Sequence, residues 1–413
     1  MYTPFLITIL TKSTYNGIMF IPDYVSEILH ILNAHHYEAY VVGGAIRNHL
    51  LHLPAHDYDV TTNALPVQLK EVFQNYATID TGIQHGTVTV LIHHHPVEIT
   101  TYRKDSAYTD HRHPSSVTFT SELQEDCKRR DFTINAMCYH PSCGILDFFS
   151  GQQDLNNHIL RCIGNPEERF EEDALRILRA LRFATRLNFT IEENTSRTLI
   201  QKKETLSYVS IERITSEWMG ILESGYPCTI LKKYRSVIEV FLPEIKEYTE
   251  SAYASVLDTL EKETSGSTCV RMALFLRPLQ DISKARQILQ RMKCSNAYMS
   301  SVLNLLQVED MPVSTRIDMR YLLAALSVDF DMYVHYCSTF KATDNAQKLY
   351  TEVTSDTYAY TLSQLKITGK DLLALGYKGK EIGETLHALL EMVMQEKIHN
   401  TKEELLQALQ STI

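Results

Sequence analysis

The hydrophobic pattern of the chain changes near residue 150, and this change constrains the fold more than any other feature. Before it, helical patterns alternate with short β-rich runs, namely YVVGG (40–44), YDVTT (58–62), TVTVLI (87–92), VEITTY (97–102) and SVTFT (116–120). Alternating strand and helix signals are typical of a mixed α/β arrangement. After about residue 155, helical periodicity dominates to the end. The sequence therefore predicts an α+β fold, with a mixed-sheet head followed by an all-α remainder.

The composition excludes several classes of protein. With 413 residues and 44% hydrophobic content, the chain can bury several cores and is not globally disordered. The net charge of −10 means that any nucleic-acid site must be a local basic patch. Eight cysteines are scattered without a C-x-x-C pair, which favours reduced thiols in the cytoplasm. The apolar run FLITIL (5–10) is too short to span a membrane, and we interpret residues 1–18 as a possible N-terminal extension.

Three acidic residues on predicted strands are the strongest candidates for a catalytic centre. Asp57 and Asp59 alternate along HDYDV, so their side chains should project from the same face of a strand. Glu98 lies in the strand-like run VEITTY. Two such close carboxylates repel unless a cation neutralises them, and oxygen ligands favour Mg²⁺ over zinc. A bare D-x-D is more often a pair of solvated acids, so the interpretation depends on its context.

That context is a glycine pair thirteen residues earlier, in VVGGAIR (41–47). A strand that ends in Gly-Gly and opens into a helix lets backbone N–H groups approach phosphate oxygens. Arg47 follows one turn into the predicted helix, where it could reach a triphosphate. Three acids beside such a turn indicate two-metal phosphoryl transfer, in which an attacking hydroxyl is activated and a leaving pyrophosphate is stabilised.

A basic segment follows the last predicted strand of the head, KRRDFTINA (128–136). One interpretation is a basic turn before a helix. The other is a site that grips a nucleotide, with Arg130 on the phosphates and Asn135 near the ribose.

A second polar segment, EDALRILRALRF (172–183), places polar residues every three positions along a predicted helix, at Asp173, Arg176, Arg179 and Arg182. Such stripes usually form salt-bridged surfaces, but the high apolar content here favours the lining of a groove. An aspartate accepts from an exocyclic amine, and an arginine donates to the acceptor beside it. An Asp173–Arg176 pair would therefore accept cytosine and adenine and refuse guanine and uracil.

Together these motifs resemble those of the class II tRNA nucleotidyltransferases, the CCA-adding enzymes, of the short bacterial type. VVGGAIR with HDYDVTT is similar to the family's first catalytic motif, and KRRDFTINAM (128–137) to its second. TTYRKDSAYTDHRHPSSVTF (100–119) is similar to its flexible loop, and EEDALRILRALRF (171–183) to its amino-acid template for the incoming base. The C-terminal ITGKDLLALGYKGKEIG (367–383) resembles the family's tail. The match covers nearly the whole chain from Met19.

The resemblance implies an enzyme that adds C, C and A stepwise to the 3′ end of tRNA from CTP and ATP, with Mg²⁺ as cofactor. It implies that Asp57 and Asp59 hold the metal and that Glu98 is a third catalytic acid. The tail is expected to clamp the acceptor and T arms of tRNA, with Lys370, Lys378 and Lys380 as contacts. The nucleotide-binding residues that it implies are Gly44, Arg47, Arg130, Asp131, Asn135, Asp173, Arg176, Arg179 and Arg182.

The resemblance also implies a division of the chain into a catalytic head (19–155), a neck with the base-recognition helix (156–226), a body (227–320) and a tail (321–413). One position departs from the family pattern, because Asn48 stands where an aspartate is usual. We expect Asn48 to brace the Gly-Gly turn rather than to hold metal. The sequence leaves open whether the protein is a monomer or a homodimer.

Four alternatives remain. A poly(A) polymerase would share the head motifs, but it commonly carries a basic C-terminal extension. Enzymes that add only CC lack the flexible loop, whereas Asp105, Tyr108, Asp110 and Arg112 are present here; an enzyme that adds only A stays open. An inactive RNA-binding protein is disfavoured because both motif aspartates are present. A small-molecule nucleotidyltransferase would not need the long helical region.

Overall fold

The computed structural model describes residues 19–55, 57–80, 82–105 and 117–410, which form two compact units. The first unit comprises the described residues up to Glu217 together with Tyr234–Phe241, and the second comprises Trp218–Lys233 and the described residues from Leu242 onward. Residues 1–18 and most of the predicted flexible loop, including Tyr108, Asp110 and Arg112, lie outside the described residues.

The head is built on a seven-stranded mixed sheet. The strands of the first unit are β1 (Ala39–Val42), β2 (Asp59–Thr62), β3 (Ala77–Ile79), β4 (Thr87–Ile92), β5 (His95–Thr101), β6 (Arg103–Asp105), β7 (Val117–Phe119), β8 (Cys138–His140), β9 (Gly144–Leu146), β10 (Ile159–Leu160) and β11 (Thr190–Ile191). The large sheet has the order β3-β4-β5-β2-β1-β8-β9. β2 and β5 run parallel and the other neighbours antiparallel, while β6–β7 and β10–β11 form separate pairs.

Alternate side chains of β1 enter two different cores. Val41 packs in a large core that includes Val25 and Ile28 of the first helix. Its neighbour Val42 packs in a smaller core with Cys127. This alternation follows from the two-residue period of a strand. Both faces of the sheet are therefore covered, which holds the ends of its central strands in place.

Helices surround the sheet and continue along the chain. Up to Phe241 they are α1 (Asp23–Ala34), α2 (Gly44–Leu50), α3 (Pro66–Val72), α4 (Leu123–Lys128), α5 (Gly151–Asn156), α6 (Pro166–Glu172), α7 (Leu175–Leu187), α8 (Glu193–Gln201), α9 (Ile211–Glu223), α10 (Pro227–Lys233) and α11 (Arg235–Phe241). The predicted α+β architecture is thus confirmed. The three-residue strands β3, β8 and β9 were not predicted, because segments this short carry little periodicity.

One predicted helix is wrong. The sequence pattern indicated a continuous helix through residues 171–187, but α6 ends at Glu172 and α7 begins at Leu175. Asp173 between them is extended, with φ −141° and ψ 103°. Its carboxylate Oδ1 accepts a hydrogen bond from the Leu175 N–H at 3.0 Å. Aspartates favour helix termini over helix interiors because they bond to nearby backbone groups in this way.

The second unit is helical throughout the residues described. After α10, its helices are α12 (Glu250–Lys262), α13 (Thr268–Leu276), α14 (Ile282–Arg291), α15 (Asn296–Val308), α16 (Arg316–Ala325), α17 (Phe330–Ser338), α18 (Asp344–Ser355), α19 (Gly369–Ala374), α20 (Lys380–Met394) and α21 (Lys402–Gln410). The C-terminal helices share a core that includes Leu372, Val393 and Leu405. No described helix is both long and apolar enough to cross a membrane.

Candidate active site

A cavity of about 660 Å³ opens in the first unit beside the turn between β1 and α2. Because β1 and β2 are antiparallel, with Val42 opposite Asp59, this turn lies next to the start of β2. The cavity brings together every predicted metal- or nucleotide-binding residue, namely Gly44, Arg47, Asp57, Asp59, Arg130, Asp131, Asn135, Asp173, Arg176, Arg179 and Arg182. The predicted third acid, Glu98, is not among the lining residues.

Two carboxylates line the cavity, and a third lies beside one of them outside the lining. Asp57 and Asp59 are exposed to the cavity. Glu98 lies on β5, and the parallel register that sets Val60 opposite Ile99 brings Glu98 beside Asp59 without placing it in the lining. The pKa of Asp59 is raised by desolvation and then by the negative charge of Glu98, whereas Arg130 opposes the shift. Burial and the neighbouring carboxylate together therefore disfavour the ionised form of Asp59.

The carboxylates fit a magnesium ion that binds together with a nucleotide. Within the described part of the chain, no three histidine, cysteine or acidic side chains form a ready cluster of metal ligands. Magnesium does not need such a cluster, because it keeps several waters and is usually held by one or two carboxylates plus substrate phosphates. Asp57 and Asp59 supply that number of carboxylates. Burial contributes most to raising the pKa of Asp59, and a cation between the two would offset the smaller contribution of the neighbouring negative charges.

The glycine turn and Arg47 line the same cavity next to Asp59. Gly43 has a φ of +82°, a backbone conformation that glycine adopts without strain. Arg47 is buried, and its guanidinium donates to Asn135 Oδ1 at 2.6 Å and to Asn48 Oδ1 at 2.9 Å. Burial lowers the pKa of Arg47 to about 10, which leaves it charged at neutral pH. Asn48 also donates to the Pro54 carbonyl at 2.9 Å, so it braces Arg47 and the loop that leads to Asp57.

Most of the arginines in the cavity are held by carboxylates. Arg179 donates to Asp131 at 2.6 Å, and Arg182 donates to Glu217 at 2.5 Å. Asp131 is fully engaged, because its other oxygen accepts from the Phe132 N–H and from Asn135. The positive charge of Arg179 accordingly keeps the pKa of Asp131 low although burial opposes this. Arg179 and Arg182 are therefore held in place before any ligand arrives.

The predicted base-reading residues both line the cavity, but they do not pair with each other. Asp173 Oδ2 accepts from Arg213 of α9 at 2.9 Å. Arg176 donates to Glu172, and it also donates to the carbonyls of Arg129 at 2.9 Å and Arg169 at 3.0 Å. The two residues therefore do not share one helix face. Asp173 lies before α7 and Arg176 lies within it, and different elements hold each side chain in place.

Several residues of the site were not recognised from the sequence. Fully buried Asp126 holds Arg129 and Arg130, and Phe183 lies under the guanidinium groups of Arg47, Arg179 and Arg182, with centroid distances of 4.9–5.3 Å. Such cation–π contacts each stabilise the pair by about 0.5–2 kcal/mol. The run SIERITSEW (210–218) carried a usable signal, because Arg213 and Glu217 lie four residues apart on one helix face.

The three predicted tRNA contacts lie in the second unit, on one short stretch of chain. Lys370 is in α19, Lys380 begins α20, and Lys378 lies between the two helices; all three are exposed. The stretch turns at Gly376 and Gly379, whose φ values are +100° and +54°. Lys380 forms an ion pair with Glu384 at 2.9 Å. Because the pair is exposed to solvent, it stabilises the ammonium group of Lys380 only weakly.

Comparison with known protein families gives three matches along the chain. The poly A polymerase head domain matches residues 39–161. A probable RNA and SrmB-binding site of polymerase A matches residues 188–249. A putative tRNA nucleotidyltransferase domain 2 matches residues 267–409.

Similar proteins extend over almost the whole length. The CCA-adding enzyme of Enterococcus faecalis is 34% identical over 92% of this chain and 94% of its own length, and that of Lactobacillus helveticus is 36% identical over 91% and 93%. The crystal structure of the Bacillus stearothermophilus CCA-adding enzyme in complex with CTP superposes with a TM-score of 0.78 at 28% identity, and the alignment covers 94% of this chain and 98% of that one. The Thermotoga maritima CCA-adding enzyme complexed with tRNA shares the fold, with a TM-score of 0.67 at 21% identity over 95% and 97%.

Proposed function

Because the chain belongs to the class II CCA-adding enzymes, which share the poly(A) polymerase head domain, we propose that it adds C, C and A stepwise to the 3′ end of tRNA. CTP and ATP supply the nucleotides, pyrophosphate leaves at each step, and no nucleic-acid template is used. The observation that carries the proposal is the single cavity in which Asp57 and Asp59 face the arginines of α7 and the candidate base reader Asp173.

The chain's own residues divide the chemical work. Asp57 and Asp59 would hold magnesium, which activates the 3′-hydroxyl of tRNA and neutralises charge on the leaving pyrophosphate. Arg47 and Arg130 lie beside the glycine turn, since the Gly44 Cβ position is 3.4 Å from Arg47 Nη2 and the Gly43 Cβ position is 3.7 Å from Arg130 Nη1. A Cβ at either glycine would be in van der Waals contact with these guanidinium groups, within the space where we place the triphosphate.

Base choice is assigned to Asp173 and Arg176. Asp173 can accept from the amine of cytosine or adenine, and Arg176 can donate to the neighbouring ring acceptor. In the structure Arg213 orients the carboxylate of Asp173, while Glu172 and two backbone carbonyls orient Arg176. Guanine and uracil would present donors and acceptors that do not match Asp173 and Arg176, and an unmade hydrogen bond of this kind costs about 1–3 kcal/mol.

The helical second unit is assigned to tRNA. Its exposed Lys370, Lys378 and Lys380 offer positive charge within an acidic chain, which suits phosphate contacts that read the shape of an A-form stem. The substrates are cytoplasmic molecules, so we place the enzyme in the cytoplasm.

A primer-extension assay tests this function. Transcripts that end before CCA, after C and after CC would each be incubated with CTP, with ATP or with both, in the presence of Mg²⁺. We expect the full CCA end only with both nucleotides, and no further extension. Addition of A alone to the transcript ending in CC, without use of CTP, would identify an A-adding enzyme, and long A tails would identify a poly(A) polymerase.

A further inference from the structure

The arginines around the cavity can be sorted by their counter-ions. Eight arginines line it, Arg47, Arg129, Arg130, Arg176, Arg179, Arg182, Arg186 and Arg213. Six of them are bound to carboxylates, which belong to Asp126, Asp131, Glu172, Asp173 and Glu217. Among the described residues, Arg47 donates only to neutral groups, the amide oxygens of Asn48 and Asn135. Arg186 has neither a hydrogen bond nor an ion pair with any residue that the structure describes.

Arg186 lies on the same helix as the three arginines recognised from the sequence. It follows Arg182 by four residues on α7, so the two side chains are neighbours on one helix face. Its side chain is exposed and lines the cavity that holds Asp57 and Asp59. It continues the stripe of Arg176, Arg179 and Arg182 by one further turn.

The positive charges of Arg186 and Arg47 repel each other. Arg186 is the charged group that contributes most to lowering the pKa of Arg47, after burial itself. Two guanidinium groups on one cavity, neither with a carboxylate, leave a positive potential that an anion would relieve. Guanidinium groups match the oxygens of a phosphate in a bidentate geometry.

We propose that Arg186 binds phosphate oxygens during nucleotide addition. The phosphate belongs either to the triphosphate of the incoming nucleotide or to the 3′-terminal phosphodiester of the tRNA, because both must enter this cavity for the reaction to occur. The inference rests on the proposed function and adds a residue to its substrate-binding machinery. Arg186 differs from Arg179 and Arg182 in that its charge is available to substrate without breaking an ion pair.

The test compares Arg186→Gln with Arg186→Lys, which retains the charge but loses the bidentate fork. Arg197→Gln is the control, since Arg197 is an exposed arginine outside the cavity that contacts only Asn194 within the described residues. KM values for CTP and for tRNA lacking CCA, the Kd values of CTP and cytidine without tRNA, and the melting temperature would be measured for each protein.

We expect Arg186→Gln to weaken the binding of one substrate by about tenfold and Arg186→Lys to weaken it less. Arg197→Gln should bind both substrates as the wild type does, and all melting temperatures should be equal. Weaker binding of CTP but not of cytidine assigns the contact to the triphosphate. A raised KM for tRNA with an unchanged Kd for CTP assigns it to the primer. Unchanged constants for both substrates, in a wild-type background that adds CCA, would overturn the inference. A wild-type protein that fails to add CCA would instead overturn the proposed function.

Discussion

At the scale of single residues, Asp59 carries a carboxylate whose ionised form its surroundings disfavour. The raised pKa of Asp59 means that its ionised form is disfavoured in the folded protein. An ionised Asp59 in these surroundings lowers the stability of the folded protein at neutral pH. Groups with shifted pKa values of this kind are common in catalytic centres. Asp59 thus differs from Asp131, which is held by Arg179 and whose pKa is lowered.

This difference leads to a prediction for Asp57→Asn and Asp59→Asn. Each variant should lose nucleotide addition by a factor on the order of a thousand or more, because a metal clamp contributes several kcal/mol to the barrier. The melting temperature should stay the same or rise, since a repelling charge is removed. Extension kinetics and calorimetry check both points. A folded variant within about tenfold of wild type would rule out the metal assignment.

Glu98 should act on the pH dependence through Asp59. Its negative charge raises the pKa of Asp59, so Glu98→Gln should lower that pKa. Because the ionised carboxylate is the form that binds metal, the acidic limb of the kcat/KM profile should then move to lower pH. Profiles of wild type and variant would be compared at saturating Mg²⁺. A lower plateau with an unmoved limb would show that Glu98 is itself a ligand rather than a neighbouring charge.

Base selection can be tested on Asp173 and its partner. Asp173→Ala should narrow the ratio of kcat/KM for CTP over UTP by about tenfold or more, because the acceptor for the amine is lost. Arg213→Gln should narrow it by a smaller factor, since Arg213 only holds Asp173 at 2.9 Å. Arg176→Ala should weaken CTP and ATP alike. A destabilised Asp173→Ala protein with an unchanged ratio would reduce Asp173 to a structural role.

At the scale of elements, the turn from β1 into α2 lies between Asp59 and Arg47. Val42 is the last residue of β1 and lies opposite Asp59, and Gly43 follows with a positive φ. The turn therefore positions the acids and the arginines at once. α7 makes the second contribution, because Arg176, Arg179, Arg182 and Arg186 all lie on this one helix.

Gly43→Ala tests the turn against a matched control. The left-handed backbone should cost an alanine about 1–2 kcal/mol of unfolding free energy, and the new Cβ would contact Arg130 Nη1 at 3.7 Å. Gly164→Ala also places an alanine at a positive φ, +71°, but its Cβ would meet open space. Both variants should lose stability in denaturant titrations, while only Gly43→Ala should raise KM for CTP several-fold. An equal KM effect in both would contradict this role.

At the scale of the whole molecule, catalysis and RNA binding are assigned to different units. The cavity lies within the first unit, and the lysine stretch lies within the second. Contacts to nucleotide and to tRNA should therefore be separable by mutation. The overall acidity of the chain makes the local basic stretch the part with the strongest expected dependence on salt.

Replacing Lys370, Lys378 and Lys380 by Gln should raise KM for tRNA. It should also reduce the slope of the logarithm of the tRNA binding constant against the logarithm of salt concentration by about 2–3, because each lost phosphate contact releases about one counterion fewer. KM for CTP should hardly change. The control is a triple variant of exposed lysines elsewhere in the second unit, Lys246, Lys293 and Lys348, which changes the net charge equally. If both triple variants lose the same affinity, net charge rather than this stretch governs tRNA binding.

The sequence by itself determined the fold class and most residues of the cavity. Local periodicity was sufficient to predict strands β4 and β5 and the helices after residue 155. Asp57, Asp59, Gly44 and Arg47 were found because the D-x-D and Gly-Gly signals each lie within a few consecutive residues. These signals are local, so they can be recognised before folding is considered.

Only the tertiary structure decided how the site residues are paired. Asp173 pairs with Arg213, forty residues away, and Arg179 pairs with Asp131, forty-eight residues away. Such partners are selected by the packing of α7 against other elements, and no spacing rule along the chain reveals them. The same packing left Arg186 without a counter-ion among the described residues, although its residue type is that of the neighbours that are paired. Ion pairing depends on distance in space, which sequence proximity specifies only within a helix turn or a tight loop.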